Sequence, residues 1–300
     1  LLSTHLDTVG PCLGKKIRLD PDEVFRSDGA TILGADDLAG VTAVLALLRE
    51  LRAVKTPHRP LELLFSVAEE SHLQGIAAFD CQRLKAREGY VLDTSGAPGI
   101  GVVAAPGHIS LRFTVHGRPA HAGIEPEAGI SAIAVAARGI AAMRLGRLDA
   151  ATTANIGQIL GGGATNIVAA SCLVTAECRS LDLDRLQAQA DHMADCMRQA
   201  AETAGATLEI ERQLSYWPWR VDPDEPVVRR FIAACQAVGL NPRLISTGGG
   251  SDLNVLMHNG LRGMVLACGM RHVHTCEECL PLADLISLVQ LLQALLNQPI

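Results

Sequence analysis

Aromatic residues are scarce in this sequence: two Trp, two Tyr and five Phe make up 3% of its 300 positions. Its cores must therefore be built from Ala, Val, Leu and Ile. Excess positive charge is missing too. The formal net charge is −6, which gives no basic footprint for a nucleic acid partner. No apolar stretch approaches the ~18 residues that suggest a membrane span, so no membrane association is expected. A G-x-S-x-G elbow is absent, which disfavours a serine hydrolase. The glycine-rich stretch Thr247-Gly248-Gly249-Gly250-Ser251-Asp252 lacks the Gly-Lys-Ser/Thr of a P-loop and is read as close backbone approach to a substrate. There is no internal repeat or low-complexity tract.

Nine cysteines, an odd number scattered through expected strands and helices, point to reduced thiols and a cytoplasmic protein. Cys276 and Cys279 form a C-x-x-C beside His274, but no second pair accompanies them, so they are read as incidental. The length suits one large or two ordinary domains. The chain begins with Leu1, already inside an expected strand, so an N-terminal part is expected to be missing.

What is present is a repeated grammar of apolar runs ending in polar residues. Leu61-Glu62-Leu63-Leu64-Phe65-Ser66-Val67-Ala68 ends in Glu69-Glu70 and reads as a buried parallel strand. Leu1-Leu2-Ser3-Thr4 runs into His5-Leu6-Asp7, Gly89-Tyr90-Val91-Leu92 into Asp93, and Met264-Val265-Leu266-Ala267-Cys268 leads to His274. Ligands of open α/β sheets bind beyond the carboxyl ends of such strands, so these residues are expected at one sheet edge. Neighbouring strand side chains diverge, so one Glu can bind metal while the other faces substrate. His5 and Asp7, two apart, should point to the same side. Asp36 and Asp37 open a helix over 38–51. Capping accounts for one of them and leaves the other unexplained. The pattern is that of a metal-dependent hydrolase.

Between about residues 104 and 216 the pattern changes to strand 108–116, helix 127–143, strands 153–160 and 172–180, helix 182–204 and strand 206–213. This β-α-β-β-α-β order is the ferredoxin-like unit. After it the α/β grammar resumes with a helix ending near Val238, a strand Arg243–Ser246 and a last helix from Leu282 to Leu296. The expectation is an α/β protein whose catalytic domain, 1–103 and 217–300, is split in sequence by an inserted domain, 104–216.

Several segments together resemble the M20 metallopeptidases, closest to the peptidase T-like branch. They are Ser3-Thr4-His5-Leu6-Asp7-Thr8-Val9, Gly34-Ala35-Asp36-Asp37-Leu38-Ala39-Gly40, Ala68-Glu69-Glu70, Gly117-Arg118-Pro119-Ala120-His121-Ala122-Gly123, Thr247 to Asp252, and His274-Thr275 with Glu278. The resemblance implies a zinc-exopeptidase-type α/β/α catalytic domain with an inserted lid and dimerisation domain. It implies two zinc ions per chain, with cobalt or manganese as substitutes: His5 and Asp93 on one, Glu70 and His274 on the other, and Asp36 bridging. Glu69 would be the general base acting on a bridging water, and Asp7 a supporting carboxylate. His121 would steady the oxyanion in a partner subunit's site of a homodimer, while Asn166 and Arg179 would contact a short peptide substrate, Arg179 at a carboxylate. The donor set suits catalytic zinc, and two dications balance three carboxylates and a hydroxide.

Two positions depart from the family pattern: Leu38 stands where relatives commonly carry Lys, and His72 near a usual Gly. Rival expectations are an N-acyl-amino-acid amidohydrolase or carboxypeptidase-type enzyme using the same centre, and a non-catalytic binding or dimerisation module. All the ligand positions and the base are filled, which weighs against the last.

Overall fold

The computed structural model describes residues 1–54 and 57–297. The chain forms two compact units, one made of 1–105 with 219–300 and the other of 106–218.

The first unit is built on a mixed sheet in which the parallel strands Leu63–Ser66, Leu2–His5, Glu88–Thr94 and Arg262–Ala267 lie side by side in that order. Ile100–Ala105 follows, antiparallel to Arg262–Ala267, and it also pairs with Arg243–Ser246 and Trp219–Arg220. Alternation of side chains across a strand shows the layering. At Gly263 an added Cβ would meet Leu253 of the helix Asp252–His258. Its neighbour Met264 points the other way, toward Gly101 and Phe231 of the helix Pro226–Ala237. Helices therefore cover both faces, giving the expected α/β/α arrangement. The helix Ala35–Val54 packs at Gly40 against Thr4 and Leu92, where any side chain would collide. A small sheet of Arg18–Leu19, Val24–Arg26 and Cys279–Pro281 completes the unit.

One expectation is corrected here. Leu63–Ser66 is parallel as expected, but it is not a buried strand. It occupies the edge of the sheet, pairs only with Leu2–His5 among the described strands, and three of its four residues are half-buried. Its polar termination also differs: the strand stops at Ser66, and Glu69 and Glu70 follow in a turn.

The second unit carries Gly107–His116, the helix Ala132–Ala142, Thr152–Gly161, Ser171–Ser180, the helix Leu183–Ala204 and Thr207–Tyr216. Its sheet is antiparallel, with the fourth of these long strands beside the first, then the third, then the second. That is the ferredoxin-like order. The first helix starts later than its sequence suggests. Pro126–Ala128 forms a separate 3-10 turn, Ile130 bridges to Arg118, and Ser131 then caps the helix by accepting from the N–H of Ala134. Between the two helices and the sheet lies an apolar core of Phe113, Val115, Val174, Leu186, Met193 and Met197, all nearly inaccessible. Aliphatic and thioether volume replaces the missing aromatics.

Candidate metal centre

Because four strands run parallel, their carboxyl ends lie along one edge of the sheet. There His5, Asp36 and Asp93 bring one donor atom each within 4.8 Å of one another, and Asp36, Glu70 and His274 do the same. His5 Nε2 lies 3.2 Å from Asp36 Oδ1 and 3.9 Å from Asp93 Oδ1. His274 Nε2 lies 3.2 Å from Asp36 Oδ2 and 3.1 Å from Glu70 Oε1. The two oxygens of Asp36 thus face different histidines, as a bridging carboxylate requires.

Three of these donors, His5, Asp36 and Glu70, are held by their neighbours. Glu278, 1% exposed, accepts from the Gly34 N–H at 2.6 Å and the Asp36 N–H at 2.9 Å, clamping the segment that presents Asp36. Asp37 turns the other way. Fully buried, it accepts from the Thr4 hydroxyl and from the N–H groups of His5 and Gly40, both at 3.2 Å. One Asp faces the centre while the next ties the helix start to the strand carrying His5. Asp7 lies beyond the strand, not on it. Its carboxylate accepts from the N–H groups of Glu69 and Glu70 at 3.1 Å each, and its backbone carbonyl accepts from His5 Nδ1 at 2.9 Å. That second bond leaves His5 Nε2 as the nitrogen that turns toward Asp36. Non-glycine residues with positive φ cluster here: Ala68 at 54°, His72 at 64°, His272 at 55° and His274 at 64°. Such conformations persist only where the surroundings enforce them, and they concentrate at functional sites.

The electrostatics call for added positive charge. Burial opposes the charge on His5, yet its hydrogen bond to Asp36 and the fields of Asp37 and Glu69 raise it to about 10. His274 is raised to about 9, chiefly by hydrogen bonding to Asp36. Burial works against ionised Asp36, but the two imidazoles hold it at about 2. At Asp93 the balance goes the other way: burial and the charges of Glu69, Asp36 and Asp37 drive it well above the usual carboxylate range. Glu69 is pushed up to about 8 by burial, with Asp252, Glu70 and Asp36 adding to the effect. Carboxylates crowded this way cannot all ionise without cations among them. Glu70 Oε1 is also buried without a well-aligned hydrogen bond. This set of His and carboxylate donors fits divalent zinc, cobalt or manganese.

His121, Asn166 and Arg179 lie on the second unit. His121 bridges to Ile167, and the Ala122 N–H donates to the Asn166 carbonyl at 2.9 Å, so the first two are neighbours; both are exposed. Arg179 forks onto Glu177 with two bonds of 3.1 Å. Cys276 and Cys279 join no ligand group among the described residues, and all nine cysteines are free. Leu38 and His72 stand outside both ligand groups.

Two contributors were visible in the sequence only as members of motifs. One is Glu278, the clamp on Asp36. The other is Asp252, 2% exposed, which accepts from the Ser66 hydroxyl through Oδ2 while Oδ1 has no hydrogen-bond partner among the described residues. Spacing alone does not show that either faces inward.

Comparison with known proteins agrees with this architecture. Residues 1–103 match peptidase family M28, and residues 103–204 match the peptidase dimerisation domain of the M20 type. The uncharacterized protein YqjE of Bacillus subtilis (strain 168) is 38% identical over 296 residues, 99% of this chain and 80% of its own length. The aminopeptidase PepT structure from Bacillus cereus superposes with a TM-score of 0.90 at 38% identity, covering 98% of this chain and 79% of that one. A tripeptidase structure from Staphylococcus aureus gives a TM-score of 0.95 at 36% identity, with coverage of 98% and 79%. With the fold and nearly the whole length of the sequence in agreement, this chain belongs to the M20 metallopeptidases, on their peptidase T-like branch.

Proposed function

We propose that the chain is an aminopeptidase of short peptides, tripeptides foremost, that works with two divalent cations, zinc in the first instance. The observation that carries this reading is the pair of ligand groups sharing Asp36. His5 and Asp93 would hold one ion, Glu70 and His274 the other, with Asp36 between them. When bound, such ions polarise the scissile carbonyl and lower the pKa of a shared water.

The chain's own groups then do the rest. Glu69 takes a proton from the attacking water as the new C–O bond forms, and returns it to the amine as the C–N bond breaks. Without metal, burial and neighbouring carboxylates push Glu69 up to about 8; cations held by those carboxylates would offset that and leave Glu69 the ionised base that the first step needs. Asp7 keeps the Glu69–Glu70 turn and the His5 ring in register through its three hydrogen bonds. His121 would donate a hydrogen bond to the developing oxyanion of a partner subunit. Asn166 and Arg179 would contact the peptide. A homodimer formed through 104–216 is supported by the match to the dimerisation domain. Nine free cysteines favour a reducing compartment such as the cytoplasm.

The test is a panel of tripeptides, dipeptides and N-acyl amino acids offered to zinc-loaded protein, with both hydrolysis products identified and timed. Tripeptides should be preferred. Faster cleavage of N-acyl amino acids would replace this reading with an amidohydrolase.

A further inference from the structure

Beside the metal centre, within the same unit, a cavity of about 140 Å³ opens onto Asp36, Asp93 and His274. It is lined by Val102 and Val265, buried residues that face each other across neighbouring strands, and by Met270 and Val273 from the loop that delivers His274. The glycine-rich segment closes it with Thr247, Gly249, Gly250 and Ser251. An apolar lining therefore reaches directly to the ligands.

We propose that this cavity receives the side chain of the substrate's N-terminal residue, and that Val102, Val265, Met270 and Val273 select aliphatic side chains of valine to methionine size. The proposal rests on the aminopeptidase reading above. The lining is consistent with it: among the described residues no lysine or arginine lines the cavity, so a substrate's C-terminal carboxylate would find no basic side chain there. An N-terminal residue brings an ammonium, which the hydroxyls of Thr94, Ser95 and Thr247 in the lining can accept while Asp36 and Asp93 are committed to the ions. Size supports it too. An apolar cavity of about 150 Å³ takes benzene; leucine, isoleucine and methionine side chains are smaller than that, and an indole is much larger. Gly249 adds to the fit, because a Cβ there meets only the Thr247 hydroxyl at 3.9 Å and would otherwise project into open space.

The experiment compares kcat/KM of zinc-loaded protein on X-Gly-Gly tripeptides with X as Ala, Val, Leu, Met, Phe and Trp. Each methylene moved from water into an apolar pocket is worth about fourfold, so Leu and Met should exceed Ala by at least about tenfold. Trp should fall below Leu by a similar factor. Met270→Ala enlarges the cavity and should raise Trp relative to Leu by about tenfold. Val273→Phe, at a half-buried position less exposed to folding defects, should fill it and lower Leu relative to Ala by about as much. If tripeptides are cleaved but the order of X is the same in wild type and both variants, the pocket assignment is overturned and the aminopeptidase reading stands. If the wild type cleaves no tripeptide, both fall.

Discussion

Replacing Glu278 with glutamine should loosen the metal centre although Glu278 is not itself a ligand. Its two carboxylate oxygens each accept a backbone N–H, from Gly34 at 2.6 Å and Asp36 at 2.9 Å, in a site that water does not reach. Hydrogen bonds to a charged group are worth about 1.5–3 kcal/mol each, and a buried donor left unpaired costs about 1–3 kcal/mol. Glutamine keeps one acceptor but turns an amide N–H₂ toward the other backbone N–H, donor against donor. One bond is lost and one donor is orphaned, so about 2–4 kcal/mol of stability should go. Asp36 moves with its backbone, and loss of such a supporting contact typically costs about 10–100-fold in metal affinity. The assay is a zinc titration against a competing chelator, with urea unfolding of the metal-free protein alongside. Glu277→Gln, an exposed neighbour, is the control and should change neither. Zinc affinity within twofold of wild type for Glu278→Gln, with the same urea midpoint, would refute the clamp.

Glu69→Gln should lower kcat by about 10²–10⁴ with metal content unchanged, whereas Glu70→Gln should lose metal; retention of more than a tenth of wild-type kcat would remove Glu69 as the base. His121→Ala should lower kcat by about 10²–10³, and mixing it with Glu69→Gln chains should restore partial activity, since a mixed dimer contains one site with both groups. Absence of rescue in mixtures shown to exchange subunits would place His121 outside the partner's site. In the second unit, hydrogen bonds from His108 and Arg179 hold the Glu177 carboxyl at about 2, below its ordinary 4.5. A depressed folded-state pKa gives stability that is full above about pH 4.5 and is lost as the pH falls toward 2. Glu177 is 33% exposed, so solvent screening trims the contribution to about 1–2 kcal/mol. Glu177→Gln should flatten the acid limb of a stability–pH curve, and an unchanged limb would count against the pairing.

Much of this fold was legible because apolar period and turn chemistry agree. The strand Arg243–Ser246 and the four-strand, two-helix rhythm of the insert follow directly from alternation and from glycine-rich turns. Sheet order was not legible. The run from Leu63 to Ser66 is apolar enough for a central strand, yet it lies at an edge, because hydrophobicity reports burial by any neighbour and not by strands on both sides. The candidate ligands were legible as polar residues ending apolar runs. Strand alternation did not describe how Glu69 and Glu70 diverge, since both lie in a turn that follows Ala68, whose φ is 54°. The clamp by Glu278 was hidden for a different reason. It joins residues 244 positions apart, and nothing local to either end records the contact.

Two cations shared through Asp36 are what would make this chain a peptidase. Stepwise addition of zinc to metal-free protein, with leucine release from Leu-Gly-Gly followed at each step, tests it most directly. Activity should be absent without metal and should reach its plateau at two equivalents per chain. Activity in rigorously metal-free protein, or a plateau at a single equivalent, would rule out a shared two-cation centre.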